Sequence, residues 1–206
     1  MNTIIESYCK KIRKLRLRFK TLRIRRNQQR TVLCNMCLGG MVSHDLGLRF
    51  NSPFVNLMVP GSEYVELLSN RMQIGGGIIE EINIDRLYPV GLLERKYHLH
   101  FIHYDTFESA VNKWKKRCAR MDLENAYCIL VETVSCKYED LVAFDNLPFK
   151  HKIILVHKEY PELIHSQVIK GFDGKNLHGD ILRFTDFFGS RMYDQVDWIR
   201  FLELNK

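Results

Sequence analysis

The residues best suited to chemistry are crowded between Cys34 and Asn56. Cys-Asn-Met-Cys-Leu-Gly-Gly occupies 34–40, His44-Asp45 follows, and Phe50-Asn51-Ser52-Pro53-Phe54 leads to Asn56. Cys37 stands between a short apolar run and a helical pattern. That order sets a thiol at the carboxyl edge of a sheet, where open α/β proteins bind ligands. A helix N-terminus beside the sulfur favours the reactive thiolate. Gly39 and Gly40 leave backbone N–H groups free to approach an oxyanion or a phosphate. His103, closing a later strand, is the expected base for cysteine acyl transfer or ester hydrolysis. His44, one or two turns beyond Cys37, competes for that role. Asn51 can orient an imidazole or hold a sugar hydroxyl, with Ser52 and Asn56 in the same string, and Arg117 suits a phosphate or carboxylate.

Each of these residues has a plainer reading. A cysteine in a strand-to-helix turn is commonly structural, a histidine at a strand end can be satisfied within a polar seam, and Asn-Ser-Pro is a common self-bonded turn. Cys34 and Cys37 have the spacing of a metal or redox pair, yet no second ligand pair accompanies them. No metal and no cofactor is therefore expected.

The elements that position these residues follow from periodicity. Short apolar runs at 31–36, 54–59, 98–103, 127–133 and 152–157 suit buried strands. Helical patterns at 61–70, 107–121, 138–147 and 194–204 separate or follow them. The clearest helix carries Ala110, Val111, Trp114, Cys118 and Met121 on one stripe among lysines. Gly75-Gly76-Gly77 marks a turn into a further short extended segment. Alternating β and α elements predict an α/β fold, a mostly parallel sheet with helices on both faces, as a single domain over 31–206.

Charge divides the chain differently. Of its 31 Lys and Arg, eleven fall between Lys10 and Arg30, where there is no acid. From Thr31 onward, 20 bases face 23 acids, so the body is slightly acidic. The first thirty residues read as a basic amphipathic helical arm outside the domain. Ile5, Tyr8, Ile12, Leu15, Phe19 and Leu22 recur on one face, with cations mostly elsewhere. Such a helix can dock on the body by that stripe, lie on an anionic membrane through residues 10–30, or meet a protein partner. Nucleic acid is not expected, because the body adds no basic patch or recognition motif. No apolar run is long enough to span a bilayer and no export signal is visible, so a cytoplasmic protein, peripheral at most on the inner membrane face, with reduced thiols, is expected.

The ordered motifs resemble a bacterial family known as domain of unknown function 1919. They are Asn35-x-Cys37-x-Gly39-Gly40, Asp45-Leu46-Gly47-Leu48, Phe50-Asn51-Ser52-Pro53-Phe54 and His100-Phe101-Ile102-His103-Tyr104. Phe107-Glu108-x-Ala110 with Trp114 and Arg117, Tyr138-Glu139-Asp140, Phe144-Asp145, Leu147-Pro148, Lys152 and the segment 193–201 continue the likeness, which covers the body and not the arm. The resemblance implies association with capsule or exopolysaccharide synthesis, without a known reaction. The leading expectation is a cysteine-dependent enzyme acting on a glycan or lipid-linked sugar. A nucleotide-sugar glycosyltransferase and a non-catalytic membrane- or complex-associated scaffold are the alternatives.

Overall fold

The computed structural model describes residues 3–22, 24, 29–174 and 180–204. A central sheet of four strands has the order β1-β5-β6-β7: β1 (Val32–Cys34), β5 (Tyr127–Val131), β6 (His151–Val156) and β7 (Ser166–Val168). Every pairing in it is parallel, with Val32 opposite Tyr127 and Tyr127 opposite His151. β5 is buried along its whole length, as its unbroken apolar run requires of a central strand covered on both faces. Its side chains alternate between two cores. Cys128 and Leu130 join Leu33, Ile154 and Val156 beneath α3 (Gly61–Ser69), α5 (Phe107–Cys118) and α6 (Tyr138–Asp145). Tyr127, Ile129 and Val131 join Val32, Ile153 and Leu155 beneath α2 (Leu38–Asp45) and α7 (Trp198–Phe201). Helices therefore cover both faces of this sheet.

The parallel sheet is only part of the architecture. β2 (Ile79–Ile82), β3 (Val90–Leu93) and β4 (Tyr97–His100) form a separate antiparallel sheet, preceded by the short α4 (Met72–Gly76). The run at 98–103 thus belongs to an antiparallel strand that stops at His100. Its hairpin turn places Glu94 and Arg95 at φ 52° and 56°. The three-residue connection, Glu94 to Lys96, turns through that left-handed backbone even without Gly or Asn. The segment at 54–59 is not a strand. It touches the antiparallel sheet at one bridge, Met58 to His100, while Val59 N–H donates to the Asn35 carbonyl at 2.9 Å. The loop is thereby stitched between both sheets. The helix expected at 194–204 is divided into a 3-10 turn, Met192–Gln195, and α7, because Asp197 caps the latter by accepting from Arg200 N–H at 3.1 Å.

The basic segment forms α1 (Thr3–Thr21), and it is fastened to the body. Cys9 and Arg13, one turn apart, are buried, and Leu17 continues that face half-buried. Arg13 Nη1 donates to the Gly189 carbonyl at 3.0 Å, and Nη2 donates to Tyr193 Oη at 3.0 Å and to Asp194 Oδ1 at 2.9 Å. Its Nε also donates to Asp45 Oδ2 at 3.1 Å, reinforced by a short Nη2 contact to the same oxygen. Burial opposes the guanidinium charge, and the bonds to Asp194 and Asp45 more than offset it, holding the pKa above its usual range. Gly189, at φ 74°, permits the contact, since a Cβ there would meet Cys9 O at 2.5 Å and Arg13 N at 2.9 Å.

Docking uses a different stripe from the apolar one. Tyr8, Leu15, Phe19 and Leu22 are exposed, with Leu15 at 53% and Phe19 at 67%, and Ile4 extends the same face. Ile5 and Ile12 lie at the seam, half-buried. Lys11 and Arg18 flank the exposed stripe. Arg23, Arg25 and Arg26 lie outside the described residues.

Candidate functional site

The carboxyl edge of the parallel sheet brings together the segments that follow β1, β5 and β6. Asn35 shapes its first corner. Its side-chain Nδ2 donates to the Val131 carbonyl at 3.0 Å and its Oδ1 accepts from Val131 N–H at 2.9 Å, extending the β1–β5 ladder one step past the backbone. The chain then turns through Met36 and Cys37 into α2.

Cys37 does not hold the thiolate that its position before a helix suggests. It is 7% exposed, its Sγ lies 3.7 Å from the Leu57 carbonyl as a donor, and burial pushes its pKa up to about 12. Desolvation outweighs the helix terminus. The carbonyl reinforces this outcome, because it accepts from a thiol and repels a thiolate. Cys34, also buried, is pushed up to about 12 by the same cause. Native Cys37 is therefore expected to resist iodoacetamide at pH 8 for as long as denatured protein takes to label completely, as read by mass spectrometry. Rapid native labelling would contradict the buried thiol. The neutral form also sets a pH limit. The stabilisation is complete below the unfolded thiol pKa of about 8.5 and is lost as pH rises toward the folded value of about 12.

Gly39 and Gly40 lie inside α2, and their role is packing. A Cβ at 39 would sit 2.9 Å from Cys34 Cβ, and one at 40 would sit 3.1 Å from Val55 Cγ1. Helix α2 can approach β1 and the 51–59 loop this closely only without side chains at those positions.

His103 lies in the turn after β4, exposed, and it does share a cavity with Cys37. That cavity of about 330 Å³ is walled by Met36, Cys37, Met58, Tyr88, Ile102 and His103. Its lining is mainly apolar, with the imidazole at the rim. His44 is elsewhere. Its exposed ring, with Nδ1 3.5 Å from Asp45 Oδ1, lines a separate groove between α1 and α2.

The remaining candidates lie in the 51–59 loop or against it. Ser52 Oγ accepts from Phe54 N–H at 3.2 Å, a local turn bond, and Asn56 is exposed at φ 66°. Asn51 is buried, and its Oδ1 has no hydrogen-bond partner among the described residues. Arg117 is buried too. Its Nη1 donates to the Val55 carbonyl at 3.0 Å and to Tyr104 Oη at 2.6 Å, and its guanidinium lies over Phe50. This arginine ties the loop to α5 through Nη1.

One cluster at the sheet edge escapes sequence reasoning. Glu132 follows β5 and His157 follows β6. Glu132 Oε2 lies 2.7 Å from His157 Nδ1 and accepts from His157 N–H at 3.0 Å, while Oε1 accepts from Tyr160 Oη at 2.8 Å. Burial and then Glu132 push the Tyr160 phenol up to about 12. A carboxylate that orients Nδ1 leaves Nε2 available as a base, the arrangement used in many hydrolases. The same grip recurs at Glu63 with His98 and at Asp145 with His165, where one carboxylate takes both a backbone N–H and the ring. That repetition marks it as a device for anchoring histidines in or beside strands. A buried strand followed at once by an acid, Val131-Glu132, is the signal that would have drawn attention to it.

Similarity to known proteins now bears on this geometry. A family model described as domain of unknown function (DUF1919) matches residues 8–203. The chain belongs to that family. The DUF1919 match reaches back to Tyr8, so it includes Arg13 and most of α1, beyond the limit at which the sequence motifs alone set the likeness. A DUF1919-sized relative, an uncharacterized protein of Haemophilus influenzae, is 36% identical over 174 residues, 84% of each chain. Among the described residues, no helix is long and apolar enough to cross a membrane.

Proposed function

We propose that this protein works as a peripheral component of surface-glycan assembly, held on an anionic leaflet by α1, where it meets a lipid-linked or phosphorylated glycan. The observation that carries the membrane reading is the orientation of α1. Arg13 clamps one side of the helix to the body, and Tyr8, Leu15, Phe19 and Leu22 face outward beside cations. An amphipathic helix of this composition binds interfacially through its apolar area, assisted by about 1 kcal/mol for each cation near an anionic surface. The glycan class rests on the family resemblance, and the cavity between Cys37 and His103 is the site assigned to it. A protonated thiol argues against a cysteine nucleophile, so the cavity is assigned binding, not acyl transfer.

Vesicle co-sedimentation of the full chain tests the reading. Binding to vesicles containing phosphatidylglycerol is expected to exceed binding to phosphatidylcholine alone by at least tenfold. The difference should shrink as salt rises, because exposed charges separated by more than about 8 Å are screened at physiological ionic strength. Equal, weak binding to both compositions would overturn it.

A further inference from the structure

The groove between α1 and α2 has a volume of about 540 Å³ and is lined by Lys10, Lys14 and Arg18 from α1, by His44, and by Arg191. Its one acid, Asp45, is already committed to Arg13 and to Tyr193 Oη, which donates to it at 2.6 Å. Lys10 is paired with Glu6 at 2.8 Å. Lys14 and Arg18 form no salt bridge among the described residues, and both are exposed. Arg191 Nε is buried without a hydrogen-bond partner, while its Nη1 is spent on the Leu182 carbonyl. Leu17 and Met41 supply an apolar wall. Cations held at the rim of a concave, partly apolar surface focus potential on whatever enters. Carboxylates are less suited to this set than a phosphate ester, which presents several strong acceptor oxygens to converging donors.

We infer that this groove is a binding site for a phosphate ester, with Lys14 and Arg18 as its principal charge contacts, Arg191 deeper and His44 at the opposite lip. The same ester chemistry is carried by a phospholipid headgroup and by a sugar phosphate, and the groove is large enough for either. Arg18 also borders the exposed apolar stripe, so a helix lying on a leaflet would bring the groove's mouth to headgroup level. The inference rests on the membrane reading for that one source only.

Titration calorimetry of the full chain with glycerol 3-phosphate and with glucose 1-phosphate tests it. Saturable binding is expected, and Lys14→Gln with Arg18→Gln is expected to weaken it by tenfold or more. The charge-matched pair Lys113→Gln with Lys116→Gln, on the exposed face of α5, should leave it within twofold. Tighter binding of the glycerol ester assigns the lipid source, and tighter binding of the hexose ester assigns the glycan source. Absence of saturable binding overturns the inference, as does equal weakening by both pairs. Vesicle association that persists in the absence of ester binding would sink the groove and spare the membrane reading. Ester binding without vesicle association would do the reverse.

Discussion

Arg13→Ala is expected to lower the unfolding free energy by about 3–5 kcal/mol, the cost of removing one partner from a buried ionic cluster. The size follows from what would be left behind. Among the described residues Asp45 would keep Tyr193 Oη and the exposed His44 ring at 3.5 Å, and Asp194 would lose two bonds. The Gly189 carbonyl would lose its donor as well. Arg13→Lys should recover only a minor part, because an ammonium cannot reproduce a planar fork directed at Asp45, Asp194 and Tyr193 together. Urea denaturation gives the magnitude, and proteolysis within α1 should accelerate in the same variants. A loss below about 1 kcal/mol, the level typical of exposed ion pairs, would mean that the clamp is not buried in solution.

The second large effect concerns binding. Leu15→Glu with Phe19→Glu is expected to reduce partitioning onto phosphatidylglycerol vesicles by roughly 100-fold, since fully burying a large apolar side chain contributes about 1.5–3 kcal/mol. The two acids also cancel part of the attraction to the leaflet. Stability should hardly move, because both side chains already face solvent. That separation of effects is diagnostic. A stripe packed on the body would destabilise the fold when charged, whereas an outward stripe loses only its external contact.

The difference between these two stripes shows where sequence reasoning reaches and where it stops. Hydropathy finds Tyr8, Leu15, Phe19 and Leu22 and invites docking through them. The actual contact runs through Cys9 and Arg13, because four distant acceptors, Asp45, Asp194, Tyr193 Oη and the Gly189 carbonyl, converge on one guanidinium. Nothing local to α1 announces them. β5 and β6, by contrast, are legible because a strand buried on both faces must be apolar throughout. α5 is legible because Thr106 caps it, accepting from Ser109 N–H, while Trp114 and Ala110 repeat on one side. The antiparallel pairing and β3 are hidden, although the extended segment after Gly77 and the run at 98–103 are both expected. Ile79-Glu-Glu-Ile82 is short and half charged, and its partner hairpin turns on Glu94-Arg95 without a glycine or asparagine.

The candidate site divides along the same line. Cys37 and His103 line one cavity, although His103 comes from the turn after an antiparallel strand and not from the parallel sheet's edge, and protonation is a tertiary property. The sulfur is buried beside the carbonyl of Leu57, remote in sequence, in a cavity that Met36 and Met58 also wall. Arg117 is likewise consumed by the Val55 carbonyl and Tyr104, partners that no spacing rule connects to it.

A single fluorescence measurement reaches the central claim most directly. Trp114 and Trp198 are buried in the body, so a tryptophan placed by Phe19→Trp reports its own surroundings. On adding phosphatidylglycerol vesicles, its emission is expected to shift to the blue and to be quenched by lipids brominated in their acyl chains. Emission that stays red and unquenched at saturating vesicle concentration would place α1 away from the bilayer and contradict the account.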